Sequence, residues 1–249
     1  MQNCSHKYDI LKIRDKTDTY YTEIPEMFNI PFKLLITSKS QVGAGKTTIL
    51  ANLLANPKFP YHDKFDGDDI YIISNNGLDN KLDLLSKRMK IPDENRMEYD
   101  EEMLEVLYEE LEEQFNEAVD EGEKPSNKLL IFDDVGYSGS LKDKQAGIIS
   151  KILCNGRHAN ISSIFNIQKY TMASTTLRTN LTGAIFGAVP QRDLELIADD
   201  FNMMNHKKDF IKLFRENTKG KRDFLVINFT DDRGLYFDKL FQPLVIKDK

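Results

Sequence analysis

Phe32-Lys33-Leu34-Leu35-Ile36-Thr37, continuing through Ser38-Lys39-Ser40-Gln41-Val42-Gly43-Ala44-Gly45 into Lys46-Thr47-Thr48, is the stretch on which the fold turns. The apolar run predicts a short buried strand, the glycines a loop, and Thr47 to Leu54 the start of a helix. Residues 40–47 fit the phosphate-binding pattern G-x-x-x-x-G-K-[ST] with one departure, because Ser40 stands where the first glycine belongs. Gly43 and Gly45 permit backbone conformations that aim successive N–H groups at phosphate oxygens, and the helix N-terminus adds the positive end of its dipole. Lys46 supplies a point charge for the β- and γ-phosphates, and the Thr47 hydroxyl is a ligand for Mg²⁺. An ordinary glycine-rich turn before a helix has no use for that lysine. The loop therefore predicts ATP and Mg²⁺ as cofactors, with Gln41, Val42, Gly43, Ala44, Gly45, Lys46, Thr47 and Thr48 around the phosphates.

Outward from the loop, apolar runs and helical patterns alternate. Asp69 to Ser74 reads as a second strand, Asn75 to Gly77 as a turn, and Leu78 to Lys90 as a helix. Leu129 to Phe132 reads as a third strand and runs into Asp133 and Asp134, which begin 87 residues after Lys46. Side chains alternate along a strand, so the two acids point differently and can hold different roles. Asp133 would bind Mg²⁺ through water, and Asp134 would orient and deprotonate an attacking water. An isolated pair of this kind more often caps a helix or ends a strand in solvent, and the phosphate loop upstream is what favours the functional reading.

A Gly/Ser-rich loop at Gly136 to Ser140 is followed by a helix from about Asp143 to Gly156, then by strands at Ile161 to Ile167 and Thr182 to Val189. Pro190 to Phe201 and Lys207 to Phe214 read as helices, and Asp223 to Phe229 with Leu235 to Phe241 as a hairpin. Strands alternating with helices predict an α/β fold with a mainly parallel sheet, helices on both faces and a C-terminal β-hairpin. Without a repeat or linker, residues 32–249 are expected to form one domain, with 1–31 an extension packed on it.

Composition bounds the partners. The 249 residues carry a formal net charge of −6, which at face value argues against nucleic acid. Fifteen acids and the single base Arg96 fall between Asp93 and Glu123, so that window carries −14 and the rest of the chain +8. Met103, Leu104, Leu107, Tyr108, Leu111, Phe115, Ala118 and Val119 recur there at helical spacing and predict one amphipathic helix over about 100–121, ended by Gly122 and Pro125. Its acidic face is expected to be solvated, with docking of a basic partner as the alternative. No run of ~18–20 apolar residues predicts a membrane span. Cys4 and Cys154 cannot build a disulfide framework, which points to an intracellular setting.

The order of motifs is similar to that of the RecA-like ATPases, in which an extra strand ending in a polar sensor lies between the two motif strands. Ile161 to Ile167 ends in Gln168, whose amide can hydrogen-bond both a lytic water and a γ-phosphate. Asn155-Gly156-Arg157-His158-Ala159-Asn160-Ile161, running into Gln168, resembles the GR-x-x-GI segment and Q-ended strand of the FtsK/HerA superfamily. With Gly-Ala-Gly-Lys-Thr-Thr, the Asp-Asp pair and Leu177-Arg178-Thr179-Asn180, the chain looks most like the poxvirus-type genome-packaging ATPases of DNA viruses. Ser40, and Asp134 where cellular members usually have Glu, are the departures.

The resemblance implies a RecA-like (ASCE) P-loop NTPase working as a homo-oligomeric ring that hydrolyses ATP and drives double-stranded DNA, without sequence preference, through its channel. Capsid or portal proteins would be further partners, and the location the host cytoplasm, the viral factory or the virion. Arg157 matches the family's arginine that reaches a neighbouring subunit's site, with Arg178 and Arg192 as fallbacks and a helix-end cation as the plain alternative. DNA contacts would come from basic loop residues: Lys142, Lys144, Lys169, or the run Lys207, Lys208, Lys212, Arg215, Lys219, Lys221 and Arg222. A cellular or plasmid translocase, a small-molecule or nucleotide kinase, and a nucleotide-switched scaffold share parts of this pattern.

Overall fold

The computed structural model describes residues 20–39, 45–75, 80–135 and 147–245. Gln41, Val42, Gly43, Ala44, Lys142 and Lys144, named above, lie outside them. Eight strands form one sheet: β1 (Lys33–Thr37), β2 (Ile70–Ser74), β3 (Arg96–Glu98), β4 (Lys128–Asp133), β5 (Ile161–Ile167), β6 (Gly183–Phe186), β7 (Leu225–Asn228) and β8 (Tyr236–Phe237). Their spatial order is β3-β2-β4-β5-β1-β6-β7-β8. The first six are parallel to their neighbours, and β7 runs antiparallel to both β6 and β8. The expected terminal hairpin is thus present, shortened to its central rungs.

The sheet is covered on both faces because its parallel strands are apolar on both. Among the described residues seven helices do this: α1 (Lys46–Ala55), α2 (Asn80–Met89), α3 (Glu101–Asp120), α4 (Ile148–Asn155), α5 (Thr175–Asn180), α6 (Gln191–Phe201) and α7 (Lys207–Asn217). Leu35, Leu130, Phe132, Phe165 and Ala184 pack beneath α3 to α7, whereas Leu34, Ile36, Ile131, Ile164 and Ile185 pack beneath α1, α2 and residues 24–30. Alternation along each strand produces this division. Phe132 and Phe165, paired across β4 and β5, stack with ring centroids 4.6 Å apart and bind the centre of the sheet together. At Gly183 a Cβ would lie 2.2 Å from the Phe28 ring, so only glycine lets residues 24–30 seat against β6.

Helix α3 is built as the sequence predicts. Asp100 caps it by accepting from Met103 N–H at 2.9 Å, and Leu104, Leu107, Tyr108, Leu111 and Phe115 are its buried stripe. At its end Gly122 takes φ 75°, Glu123 N–H donates to Ala118 O and Gly122 N–H to Val119 O, which satisfies carbonyls the helix leaves open. The acidity, however, is not confined to one element, which corrects the single-helix expectation. Asp93 and Glu94 sit in a short 3₁₀ turn and Glu98 in β3, a strand hidden within the acidic run. Arg96 opens β3 and pairs with Asp83 at 2.5 Å and Asp93 at 2.9 Å, so the window's only base is spent locally. Among the described residues no helix is long and apolar enough to cross a membrane.

Candidate nucleotide site

Parallel strands deliver their C-terminal ends, and the loops that follow, to one edge of the sheet, where α/β folds bind ligands. At this edge β5 lies between β1 and β4, so the strand carrying Gln168 separates the phosphate-loop strand from the Asp-Asp strand. Gly45 precedes α1 at φ 89°, a conformation that costs glycine little and other residues much. It starts the helix so that Lys46 and Thr47 occupy the first turn, with Thr47 half-buried and Thr48 exposed. Burial lowers the pKa of the Lys46 ammonium, and the charges of Asp134 and then Asp133 act against that. A cation already stripped of much of its water, with its side chain 12% exposed, is poised for an anion.

The two acids diverge more sharply than strand alternation alone would make them. Asp133 ends β4 on the α1 side of the sheet, and Asp134 then adopts the left-handed conformation with φ 51°. Aspartate tolerates this region better than most residues, and the turn re-aims its carboxylate. One Asp134 oxygen, Oδ1, lies 3.8 Å from Lys46 Nζ, and the other, Oδ2, accepts from Gln168 Nε2 at 2.8 Å. Lys46, Asp134 and Gln168, from three separate elements, are therefore in one chain of contacts. Asp134 N–H donates to Asn166 O at 2.9 Å, which anchors the turn to β5.

Asn166 is a site residue that the sequence reading missed. Its amide nitrogen donates to Asp133 Oδ1, and its Cα is paired with Asp133 in the sheet. Ser74 is paired with Asp133 on the other side, so Ser74, Asp133 and Asn166 form one polar rung across β2, β4 and β5. An amide residue two positions before Gln168, at the apolar end of β5, was the available signal. These residues fit a divalent cation beside a nucleotide. A hydroxyl at Thr47 and a carboxylate at Asp133 are oxygen donors of the kind Mg²⁺ takes alongside phosphate, and Asn166 Oδ1 and Asp134 Oδ1 are buried acceptors with no hydrogen-bond partner among the described residues.

The arginines separate clearly. Arg157 lies exposed in the 3₁₀ turn Gly156–Ala159, before β5, and Gln168 lies after it. Seven strand residues at ~3.3 Å each put about 20 Å between them. Arg157 instead neighbours Lys33, whose pKa burial lowers and the Arg157 charge lowers further. Arg178 is held by Asp200 at 2.6 Å with its side chain 17% exposed, and Tyr170 OH donates to the same carboxylate at 2.7 Å. Arg192 is exposed in the first turn of α6. Lys169 is exposed beside Gln168, Lys207 pairs with Asp199, and Arg215 donates to Gln191.

With this geometry in view, residues 22–233 match the model of one family, the poxvirus A32 protein. The chain belongs to the poxvirus A32 protein family. Among solved structures, this member is similar to the genome packaging NTPase B204 of Sulfolobus turreted icosahedral virus 2 in complex with sulfate. That likeness has a TM-score of 0.55 and 15% identity over 89% of this chain and 100% of that one. B204 in complex with ATP-gammaS gives 0.54 at 15% identity, covering 83% and 95%. EccC of Thermomonospora curvata, ATPases 2 and 3, gives 0.52 at 13% identity, covering 83% of this chain and 37% of that one. At such identities the likeness establishes the fold, that of RecA-like P-loop NTPases. No curated protein sequence matches the chain.

Proposed function

We propose that this A32-family chain is an ATP-hydrolysing motor subunit that moves double-stranded DNA, with packaging of a viral genome as its task. The observation that carries this reading is the convergence of Lys46, Asp133, Asp134 and Gln168 at one sheet edge, with β5 interposed between the two motif strands. Family membership and likeness in fold to B204, a genome packaging NTPase, support it.

In the proposed reaction Lys46 binds the β- and γ-phosphate oxygens and neutralises part of their charge. Thr47 and, through water, Asp133 would hold Mg²⁺, whose charge stabilises the phosphates during transfer. The Gln168 amide orients a water in line with the γ-phosphorus. As the water oxygen bonds to phosphorus and the bond to the ADP oxygen breaks, Asp134 accepts the water proton. Hydrolysis suits an acid in this position, whereas a kinase would leave that role to its acceptor's site. A ring of identical subunits would bring Arg157 of one copy toward the site of the next, where a guanidinium can be worth ~10³–10⁵ in rate.

ATP hydrolysis with and without double-stranded DNA, across a salt series, tests the motor. DNA should stimulate phosphate release, and the stimulation should weaken as salt rises because non-specific contacts are made to backbone phosphates. Hydrolysis indifferent to DNA at every salt concentration, or transfer of phosphate to an acceptor instead of water, would overturn it.

A further inference from the structure

Asn166 is 1% exposed and lies directly above the apolar Ile164 on the same face of β5, yet it carries an amide whose carbonyl oxygen has no hydrogen-bond partner among the described residues. Its orientation is set by chemistry: the nitrogen must face the Asp133 carboxylate, because the reverse would oppose two acceptors. The other residues of β5 that face the same side do not share this condition. Ser162 Oγ accepts from Phe32 N–H at 3.2 Å, and Ile164 is wholly apolar. A buried acceptor left open carries a desolvation cost that valine or isoleucine would avoid. Its position, on the same rung as Asp133 and on the α1 side of the sheet, gives that cost a purpose.

We propose that Asn166 is a positioning residue for the divalent cation of the nucleotide site. Its amide nitrogen holds one oxygen of Asp133 and so sets the orientation of that carboxylate. Its carbonyl oxygen accepts a hydrogen bond from the cation's water shell. Through its backbone carbonyl, which takes the Asp134 N–H, the same residue sets the left-handed turn of the acid assigned to hydrolysis. One residue thus ties the geometry of both carboxylates to β5. The inference rests on the nucleotide-site reading above and extends it to a residue that touches neither phosphate nor lytic water.

The test is the metal dependence of nucleotide binding, which needs no turnover. Binding of a fluorescent ATP analogue to the full chain is titrated with Mg²⁺, and separately measured in EDTA, for wild type, Asn166→Ala and the isosteric Asn166→Asp. Mn²⁺ in the ternary complex is followed by electron paramagnetic resonance. Both variants should keep metal-free affinity within about twofold while the Mg²⁺ needed for half-maximal binding rises ~10–100-fold, the usual consequence of losing an outer partner of a metal ligand. An unchanged Mg²⁺ requirement in a folded variant overturns the proposal. So does a parallel loss of metal-free binding, or failure of both variants to fold, since either assigns Asn166 to the scaffold. Lys46→Ala separates this from the parent reading: if it binds the analogue as wild type does, the nucleotide site itself is wrong, whereas its failure alongside unshifted Asn166 variants sinks only the metal role.

Discussion

Replacing Gln168 by Glu keeps the shape of the side chain and exchanges an amide donor for a carboxylate at the point where Gln168 Nε2 now sits 2.8 Å from Asp134 Oδ2. Two like charges at ~4 Å repel by about 4 kcal/mol at an effective dielectric constant near 20. Asp134 is 26% exposed, so water screens part of this, and Lys46 at 3.8 Å from the other oxygen opposes it. The remaining repulsion is relieved by a proton on one carboxyl or by rotation of Asp134, and either removes the ionised base from beside the attacking water. Gln168→Ala removes only the orienting amide and should lower single-turnover phosphate release by ~10²–10⁴. Gln168→Glu should be slower still. Both should bind ATP within about threefold of wild type, because Lys46 and the loop remain. Stopped-flow phosphate release with a parallel binding titration measures the two quantities. Turnover within threefold of wild type in Gln168→Glu would show that Gln168 and Asp134 do not act on a common water.

Arg178→Ala should behave as a stability variant, losing about 1 kcal/mol by chemical denaturation because Asp200 and the Tyr170 hydroxyl lose a partly exposed cation; full stability with lost turnover would instead make Arg178 part of the reaction. The chain should also lose stability in alkali. Burial raises the hydroxyl pKa of Tyr61, Tyr108, Tyr170 and Tyr236, with Asp200 raising Tyr170 further and Glu112 raising Tyr108. Their protonated forms therefore favour the folded state fully below ~10, the unfolded tyrosine value, and that contribution is lost as pH rises from there toward the folded values. Thermal melts should fall above about pH 10 and fall less steeply in Tyr170→Phe; a slope unchanged by that substitution would remove Tyr170 from the account.

Legibility followed the range of the forces involved. The parallel strands were readable because strands buried on both faces are continuous apolar runs, and the start of α1 because Gly45-Lys46-Thr47 is a local signal. Strand β3 was not, since Arg96-Met97-Glu98 is at most half-buried and the Arg96 charge is paired with Asp83 on α2. The left-handed turn at Asp134 is imposed by the backbone of β5, from residue 166, and has no local signal. Asn166 carries no local signal of its role, which depends on its rung partner Asp133 in β4. Arg178 looked available because Asp200, 22 residues away, could not be assigned to it from sequence.

The same distances decide what Arg157 can do. About 20 Å of β5 separates it from Gln168, beyond the reach of one side chain, so it cannot serve the site of its own chain. It makes no ion pair among the described residues and is exposed, so little of the fold depends on it. If it completes a neighbour's site, Arg157→Ala and Lys46→Ala should each be nearly inactive alone yet partly restore hydrolysis when mixed. A mixed ring contains sites where an intact Lys46 on the Arg157→Ala subunit meets an intact Arg157 on the Lys46→Ala subunit. Random alternation gives such pairings at about a quarter of the interfaces in an equal mixture, and recovery should approach that fraction of the wild-type rate if sites fire independently, as follows from the head-to-tail closure of a ring. A helix-end cation with only a structural role predicts no recovery at any mixing ratio, and thermal stability lost in Arg157→Ala. The experiment therefore separates a shared site from a self-contained one without needing DNA, and a flat mixing curve would remove Arg157 from the mechanism.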